Sequence, residues 1–444
     1  MVASETRGRE LESLRTFTDT QLVATAKKYG TPFFLYDVDV VRERISALHR
    51  AFNGRFQIAM SLKANPNPNL IRKFLADVQW FDVASLGEFL LATIAGVPAD
   101  RIVFIGPGKT VTELETAVSS SIGLLVVESM QEICHVDRIS RTFGKRTNVL
   151  LRVNPDFRQA SAGMQMGGVS SQFGIGIDEL QLAVNLIKTL DHMCFKGIHV
   201  YLGSQILNVT ALAKNFENIM SLAYVVQDLY GQPLSVIDFG GGFGVPYFPH
   251  EMRLDMAALQ SEIFELLARH GRMVEHKCTF LIESGRFLFA DAGVYVSSIL
   301  YRKHSHGIPY AILDGGSNFH SSLSGLGKIV RGNFPMYSIG AGDPDLPISQ
   351  EHSSNVHVVG PLCTPLDTLA RNVSLEHDCP GDLVVFEKAG AYGLTFSQER
   401  FLSHTSISEF LCEHGRVELI KRRKSMSDLA HEYNVEEVTT SETQ

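Results

Sequence analysis

No two cysteines in this sequence have the C-x-x-C spacing of a zinc or redox motif; the six, Cys134, Cys194, Cys278, Cys363, Cys379 and Cys412, are scattered. That argues against a zinc site and a disulfide framework, and for a reducing cytoplasm. No metal is expected. No apolar run approaches the roughly 20 residues that span a bilayer, so no membrane association is expected. The segment from Met1 to Arg15 is charged and lacks an apolar h-region, so no secretory signal is expected. Basic charge is also short. Forty lysines and arginines against 48 acidic residues give a formal net charge of −8, without the basic stripe of a nucleic-acid binder. Internal repeats are absent.

What remains is an ordinary globular composition, 45% hydrophobic and 20% charged, in 444 residues, enough for two or three domains. Short apolar runs alternate with helical patterns over the first two thirds. The runs are 56–63, 81–84, 102–106, 124–128, 149–154, 196–202, 236–239 and 280–283. Between them, segments such as 70–75, 86–95, 111–119, 180–190, 211–230 and 259–270 repeat apolar residues at helical spacing. Eight strand–helix units in roughly 250 residues have the size of a (β/α)8 barrel, with a doubly wound sheet as the alternative. After Arg286 the runs become closely spaced, at 294–300, 310–313, 356–359, 382–386, 405–411 and 417–420, as in a β-sandwich or β-barrel. The expected division is 31–286 for the barrel, 1–30 plus 287–420 for the β domain, and 421–444 for a flexible tail. The extended Phe33–Tyr36 could join either domain.

In such a barrel, chemistry sits at the C-terminal ends of the strands. There the sequence places Lys63, Asp82, Ser85, Arg152, Asn154, Tyr201, Ser204, the Asp238–Gly244 run DFGGGFG, and Glu283–Arg286, ESGR. A lysine where a buried strand opens into a loop can lose its proton and bond a carbonyl cofactor. Alone, such a lysine is usually a solvated surface residue. Gly240, Gly241 and Gly242 let backbone N–H groups approach an anion, and Arg286 can pair with the same phosphate. An isolated glycine run would otherwise be only a tight turn. Glu283 can hold a pyridine nitrogen protonated, so that the ring accepts electrons.

The motifs SLKAN around Lys63, FDVAS, IHVYLGSQ, DFGGGFG, ESGR, GPLCTPLD and GAYG run in the order found in the fold type III pyridoxal-phosphate decarboxylases, over about residues 30 to 415. The chain therefore resembles the diaminopimelate, ornithine and arginine decarboxylase family. The resemblance implies an alanine racemase-like fold: an α/β barrel that binds pyridoxal 5′-phosphate, plus an all-β C-terminal domain. It implies that Lys63 holds the cofactor as an aldimine. Gly240, Gly241, Gly242, Ser204, Arg286 and Tyr392 then bind its phosphate, and Glu283 pairs with its ring nitrogen. Asp82 and Arg152 support the ring. It also implies a homodimer with shared active sites, in which Cys363 of one subunit protonates the carbanion formed in the other.

Two positions depart from the family pattern. Tyr201 stands where many members carry a ring-stacking histidine; it can stack but carries no charge near neutral pH. His199, two residues earlier, is expected inside the barrel or behind the site. After Cys363, where ornithine and diaminopimelate enzymes place an acid that meets a distal ammonium, the sequence has Thr364 and Pro365. The arginine expected after Asp314-Gly315-Gly316 is missing, and Ser317 to His320 follow instead. Thr364 and His320 are thus the substrate-contact candidates. MGGVSSQFGI, GGGFGVPYF, LYRK and GPLCTP resemble a secondary-metabolism subgroup that includes the butirosin glutamyl-carrier-protein decarboxylase and siderophore-pathway enzymes. That implies an amino acid substrate, acylated or linked to an acyl carrier protein. Arg302-Lys303 and Lys421–Lys424 are candidates for a basic rim facing such a carrier. The alternatives are meso-diaminopimelate decarboxylation, racemisation as in alanine racemase, a non-catalytic cofactor-binding homologue, and a cofactor-free barrel enzyme.

Overall fold

The computed structural model describes residues 15–433 apart from 158–163, 166, 169, 272, 274–276, 327–331 and 343–354. The chain divides into two compact units, one of 42–246 plus 250–288 and one of 1–41, 247–249 and 289–444.

The first unit is the barrel. Its strands are β1 (Phe56–Ser61), β2 (Trp80–Val83), β3 (Ile102–Phe104), β4 (Leu124–Val127), β5 (Thr147–Asn154), β6 (Met193–His199), β7 (Val236–Asp238) and β8 (Thr279–Ser284). All pair in parallel. The pairing Leu125↔Val149 between β4 and β5 closes the ring, which rules out the doubly wound alternative. Every expected run became a strand. Parallel strands covered on both faces need near-continuous apolar sequence, as in Leu124–Val127, all four residues of which are buried.

Helices follow most strands, and their starts are written in capping residues. Ser85, Thr110, Ser129, Asn208 and Asp255 each accept a backbone N–H of the following helix through their side chains. Ser85, Thr110 and Ser129 stand just beyond β2, β3 and β4, so the caps fix where the chain turns from the strand ends into the helices. On the helix side, Phe52, Phe56, Phe216, Phe239 and Phe280 pack ring against ring, with centroids 4.8 to 5.9 Å apart. Each such buried side chain contributes on the order of 1.5–3 kcal/mol.

Among the described residues, the second unit is a mixed sheet of nine strands. Phe33–Asp37 runs through its middle, antiparallel to Gly293–Ser305 and parallel to Ser408–Glu413. This corrects the expected boundary, because residues 31–41 belong with the β unit. Phe33 and Leu35 bury against Val294, Val296, Phe410 and Cys412. Two strands, Met336–Ile339 and Thr368–Val373, lie outside the expected runs.

The span expected as a flexible tail begins with regular elements. Lys421 ends a strand, and Met426–His431 is a helix with a capping box formed by Ser425 and Asp428. Residues 434–444 lie outside the described residues. The expected basic rim is largely neutralised in place. Arg302 pairs with Asp378 at 2.9 Å, Lys421 with Glu409 at 3.1 Å, Arg422 with Asp428 at 3.0 Å, and Lys424 with Glu432.

Gly197 lies in β6 at φ +152°, and a Cβ there would overlap the Val236 carbonyl oxygen of β7. Gly197→Ala should therefore destabilise the barrel by about 1–3 kcal/mol. Urea unfolding compared with wild type checks this, and an unchanged midpoint would contradict the close approach of β6 and β7.

Candidate active site

Pairing in register puts the chemistry-bearing residues on one rim of the barrel. Residues paired between parallel strands point to the same face. Ser61 of β1 pairs with Asp82 of β2, and Lys63 follows in a short turn, Leu62–Ala64. Arg152 of β5, His199 of β6 and Asp238 of β7 pair in one row. Glu283 of β8 pairs with Ala59 of β1, and its N–H donates to the Gly240 carbonyl at 2.8 Å.

The side chains converge accordingly. Lys63 Nζ donates to Asp82 Oδ2 at 3.1 Å and lies 4.0 Å from Glu283 Oε2. It sits 5.5 Å from the centre of the Tyr201 ring. The other oxygen of Glu283, Oε1, is 2.9 Å from His199 Nε2, and both side chains are almost fully buried. His199 therefore lies inside the barrel behind Glu283, as the sequence suggested. Asp238 Oδ1 accepts the Gly240 N–H at 2.9 Å and so shapes the start of the glycine run.

Three carboxylates buried this close cannot all ionise at ordinary cost. Burial raises Asp82 above the usual carboxylate range, against the pull of the Lys63 ammonium. Burial and the charge of Glu283 push Asp238 up to about 7. Burial also acts to raise Glu283, but the charge and hydrogen bond of His199, with Lys63 and Arg152, outweigh it and hold that carboxyl low. The negative charge of the trio therefore concentrates on Glu283.

The glycine run forms a cradle that side chains would fill. Gly240 has φ +62°, and a Cβ on it would lie 2.6 Å from the Val200 oxygen and 2.8 Å from the Tyr201 ring. Gly242 has φ +111°, with its Cβ position 2.8 Å from the Gly203 oxygen. The Ser204 segment is laced to this run, since Ile206 N–H donates to Gly242 O at 2.8 Å and Gly244 N–H to Ile206 O at 2.9 Å. Arg286 opens the short helix just after β8. A lysine, an anion cradle and a buried carboxylate on one rim fit the three ends of pyridoxal phosphate: aldehyde, phosphate and ring nitrogen.

Arg152 is held by a network the sequence did not reveal. Its guanidinium Nη1 donates to both oxygens of Glu128 at 2.9 Å, and its Cζ lies 4.7 Å from the centre of the Phe173 ring. Glu128 also accepts the N–H groups of Gly106 at 2.9 Å and Gly174 at 3.1 Å. Beside it, buried Lys109 pairs with Glu132 at 2.7 Å. One carboxylate thus ties together the loops after β3, β4 and β5. Glu128 ended an expected strand, and only its fold partners reveal this role.

The remaining candidates lie in the β unit. Cys363 is exposed. Thr364 Oγ1 accepts the Leu366 N–H at 3.3 Å and so caps its own turn. Asp367 is buried, and its carboxylate accepts N–H groups from Ser317 at 2.6 Å and Leu362 at 2.9 Å. It pins the Gly315-Gly316 turn to the loop that carries Cys363. His320 is buried among Phe34, Tyr295 and Phe334, with ring centroids 5.5 to 6.0 Å away. Tyr392 takes a left-handed φ of +57°. A half-open cavity of about 640 Å³ in this unit, lined by Arg15, Tyr337, Glu376 and His377 among others, contains none of the expected site residues.

Comparison with known proteins agrees with this geometry. The family described as "Pyridoxal-dependent decarboxylase, pyridoxal binding domain" matches residues 38–290. The chain is 38% identical over 414 residues to the L-glutamyl-[BtrI acyl-carrier protein] decarboxylase of Niallia circulans, covering 92% of this chain and 95% of that one. It is 31% identical to the 2-[(L-alanin-3-ylcarbamoyl)methyl]-2-hydroxybutanedioate decarboxylase of Staphylococcus aureus, covering 85% and 93%. Diaminopimelate decarboxylase from Helicobacter pylori, solved with L-lysine, superposes with a TM-score of 0.81 at 26% identity, covering 92% and 98%. The chain belongs to the pyridoxal-dependent decarboxylase family: it is a carboxy-lyase that uses pyridoxal phosphate. Among the described residues, no helix is long and apolar enough to cross a membrane.

The raised Asp238 has a consequence for stability. An unfolded aspartate titrates near 3.9, whereas the folded one titrates at about 7. Its protonated form thus adds stability that is complete below about pH 4 and lost as pH rises through 7. Asp238→Asn keeps the acceptor for Gly240 but cannot ionise. Between pH 5 and pH 8 wild type should lose on the order of 2 kcal/mol more than this variant in urea unfolding. Parallel losses would count against the assignment.

Proposed function

We propose that the enzyme removes the α-carboxyl group of an amino acid whose distal end is acylated, as in a carrier-linked glutamyl group or an N-acylated diamino acid. The observation that carries this reading is the loop after Cys363. The family's acidic position there is Thr364, whose hydroxyl is taken up by its own turn, and the nearby Asp367 carboxylate is committed to two backbone N–H groups. Neither offers a carboxylate to a distal ammonium. Burying such an ammonium unpaired costs several kcal/mol. The names of the Niallia and Staphylococcus relatives both describe substrates with acylated groups, which agrees.

In this reading Lys63 would hold the cofactor through its amine. The Gly240–Gly242 cradle, Ser204, Arg286 and Tyr392 would bind its phosphate, Tyr201 would stack on its ring, and Asp82 and Arg152 would steady the ring's surroundings. Glu283 would supply the charge that pairs with the ring nitrogen. When bound, pyridoxal phosphate supplies an electron-withdrawing ring that takes up the electron pair left as carbon dioxide departs. The thiol of Cys363 of a second copy, in a head-to-tail homodimer, would give its proton to the α-carbon. His320, deep in its aromatic cage, acts through the loop it supports.

Carbon dioxide release should be measured with meso-diaminopimelate, L-ornithine, free L-glutamate, a glutamyl-carrier protein and an N-acylated diamino acid side by side. Release from the acylated or carrier-linked compounds alone is expected. Fast release from diaminopimelate or ornithine would overturn the substrate assignment, and a yellow protein releasing none from any would favour a non-catalytic homologue. Thr364→Glu should cut kcat/KM for the true substrate about tenfold or more, since a desolvated carboxylate would face a neutral group.

A further inference from the structure

The row behind Glu283 holds two polar atoms that the reading above leaves unused. His199 Nδ1 and Asp238 Oδ2 are buried and have no hydrogen-bond partner among the described residues. One side-chain nitrogen or oxygen from each of His199, Asp238 and Glu283 lies within 4.8 Å of the others. Buried polar atoms are rarely left unsatisfied in pairs. His199 and Asp238 are paired across β6 and β7, so their side chains leave the sheet on the same face.

The proton count follows from chemistry. Glu283 Oε1 faces His199 Nε2 at 2.9 Å, and a carboxylate can only accept, so Nε2 carries a proton. Asp238 is raised by burial and by the charge of Glu283, whereas Glu283 is held low, so the ionised oxygen pair is that of Glu283. The charged groups facing it, Lys63, Arg152 and Asp82, act in the same sense: two cations favour the Glu283 carboxylate, and Asp82 is itself raised toward its neutral form.

We propose that His199 is a positioning residue for the decarboxylation. Through its Nε2–H it fixes the Glu283 carboxylate, ionised, where the ring nitrogen of the cofactor would be held. This rests on the reading of Glu283 as the partner of that nitrogen, and it assigns His199 a task its neighbour Tyr201 cannot perform.

The two amide residues separate the halves of the imidazole. His199→Gln can place an N–H near the position of Nε2 and keep the bond to Glu283. His199→Asn matches Nδ1 instead and loses Glu283. Each variant, with Glu283→Gln, is loaded with cofactor labelled with ¹⁵N at the ring nitrogen, and the ¹⁵N shift is followed from pH 6 to 9. Apoprotein affinity for pyridoxal phosphate is measured in parallel. Glu283→Gln should move the ring nitrogen to its unprotonated shift. His199→Asn should bring its protonation midpoint below pH 9 and lower kcat about tenfold or more with KM nearly unchanged, while His199→Gln stays close to wild type. If Glu283→Gln moves the nitrogen but His199→Asn does not, the role of His199 is overturned and that of Glu283 stands. An unmoved nitrogen in Glu283→Gln overturns both. Equal effects of the Asn and Gln variants would mean that His199 only fills space.

Discussion

Everything at the barrel rim depends on one electrostatic constraint, the crowding of three buried carboxylates, two of them beside Lys63. Asp82, Asp238 and Glu283 are all buried, and the positive charges that act on them come from His199, Lys63 and Arg152. Neighbouring carboxylates in low dielectric push one another's titration apart. The fold decides which stays ionised by giving Glu283 the histidine. Asp82 is left to steady the lysine, and Asp238 to cap the glycine run.

A second buried system supports this rim from the side. Glu128 takes two bonds from Arg152 Nη1 and two from backbone N–H groups, so its charge is spread over three donor groups. Removing one partner of such a buried pair strands a charge, which makes it a rigid joint. Arg152 can then act on Glu283 at a fixed range without touching it. The glycine run is rigid for another reason: the Ser204 segment and the run hydrogen-bond to each other as a short ladder.

Much of this was legible in the sequence, and what was not shares a cause. The eight strands showed as apolar runs because parallel strands buried on both faces have no polar alternation to blur them. The glycine cradle, Lys63 and Glu283 were visible because each is a local motif at a strand end. His199 bonding Glu283, Arg152 bonding Glu128, and Asp367 joining two loops were not, since each links residues 24 to 84 positions apart and no local pattern marks a distant partner. The basic run Lys421–Lys424 shows the converse: its charges read as a free patch, but Glu409, Asp428 and Glu432 pair with three of them. The strand Met336–Ile339 escaped because it is only half-buried and mixes polar with apolar residues.

The central strand of the β unit has a consequence for synthesis. Phe33–Asp37 leaves the ribosome well before the strands it pairs with: its antiparallel neighbour begins at Gly293 and its parallel neighbour at Ser408. At roughly 5–20 residues per second, the first partner arrives after tens of seconds and the second later still. During that interval four successive apolar residues, Phe33 to Tyr36, have neither edge paired. The intervening chain makes the whole barrel in the meantime. The nascent protein thus emerges as a finished barrel trailing an unpaired hydrophobic strand, the kind of segment that holding chaperones bind and that misassembles when two ribosomes on one message run close together.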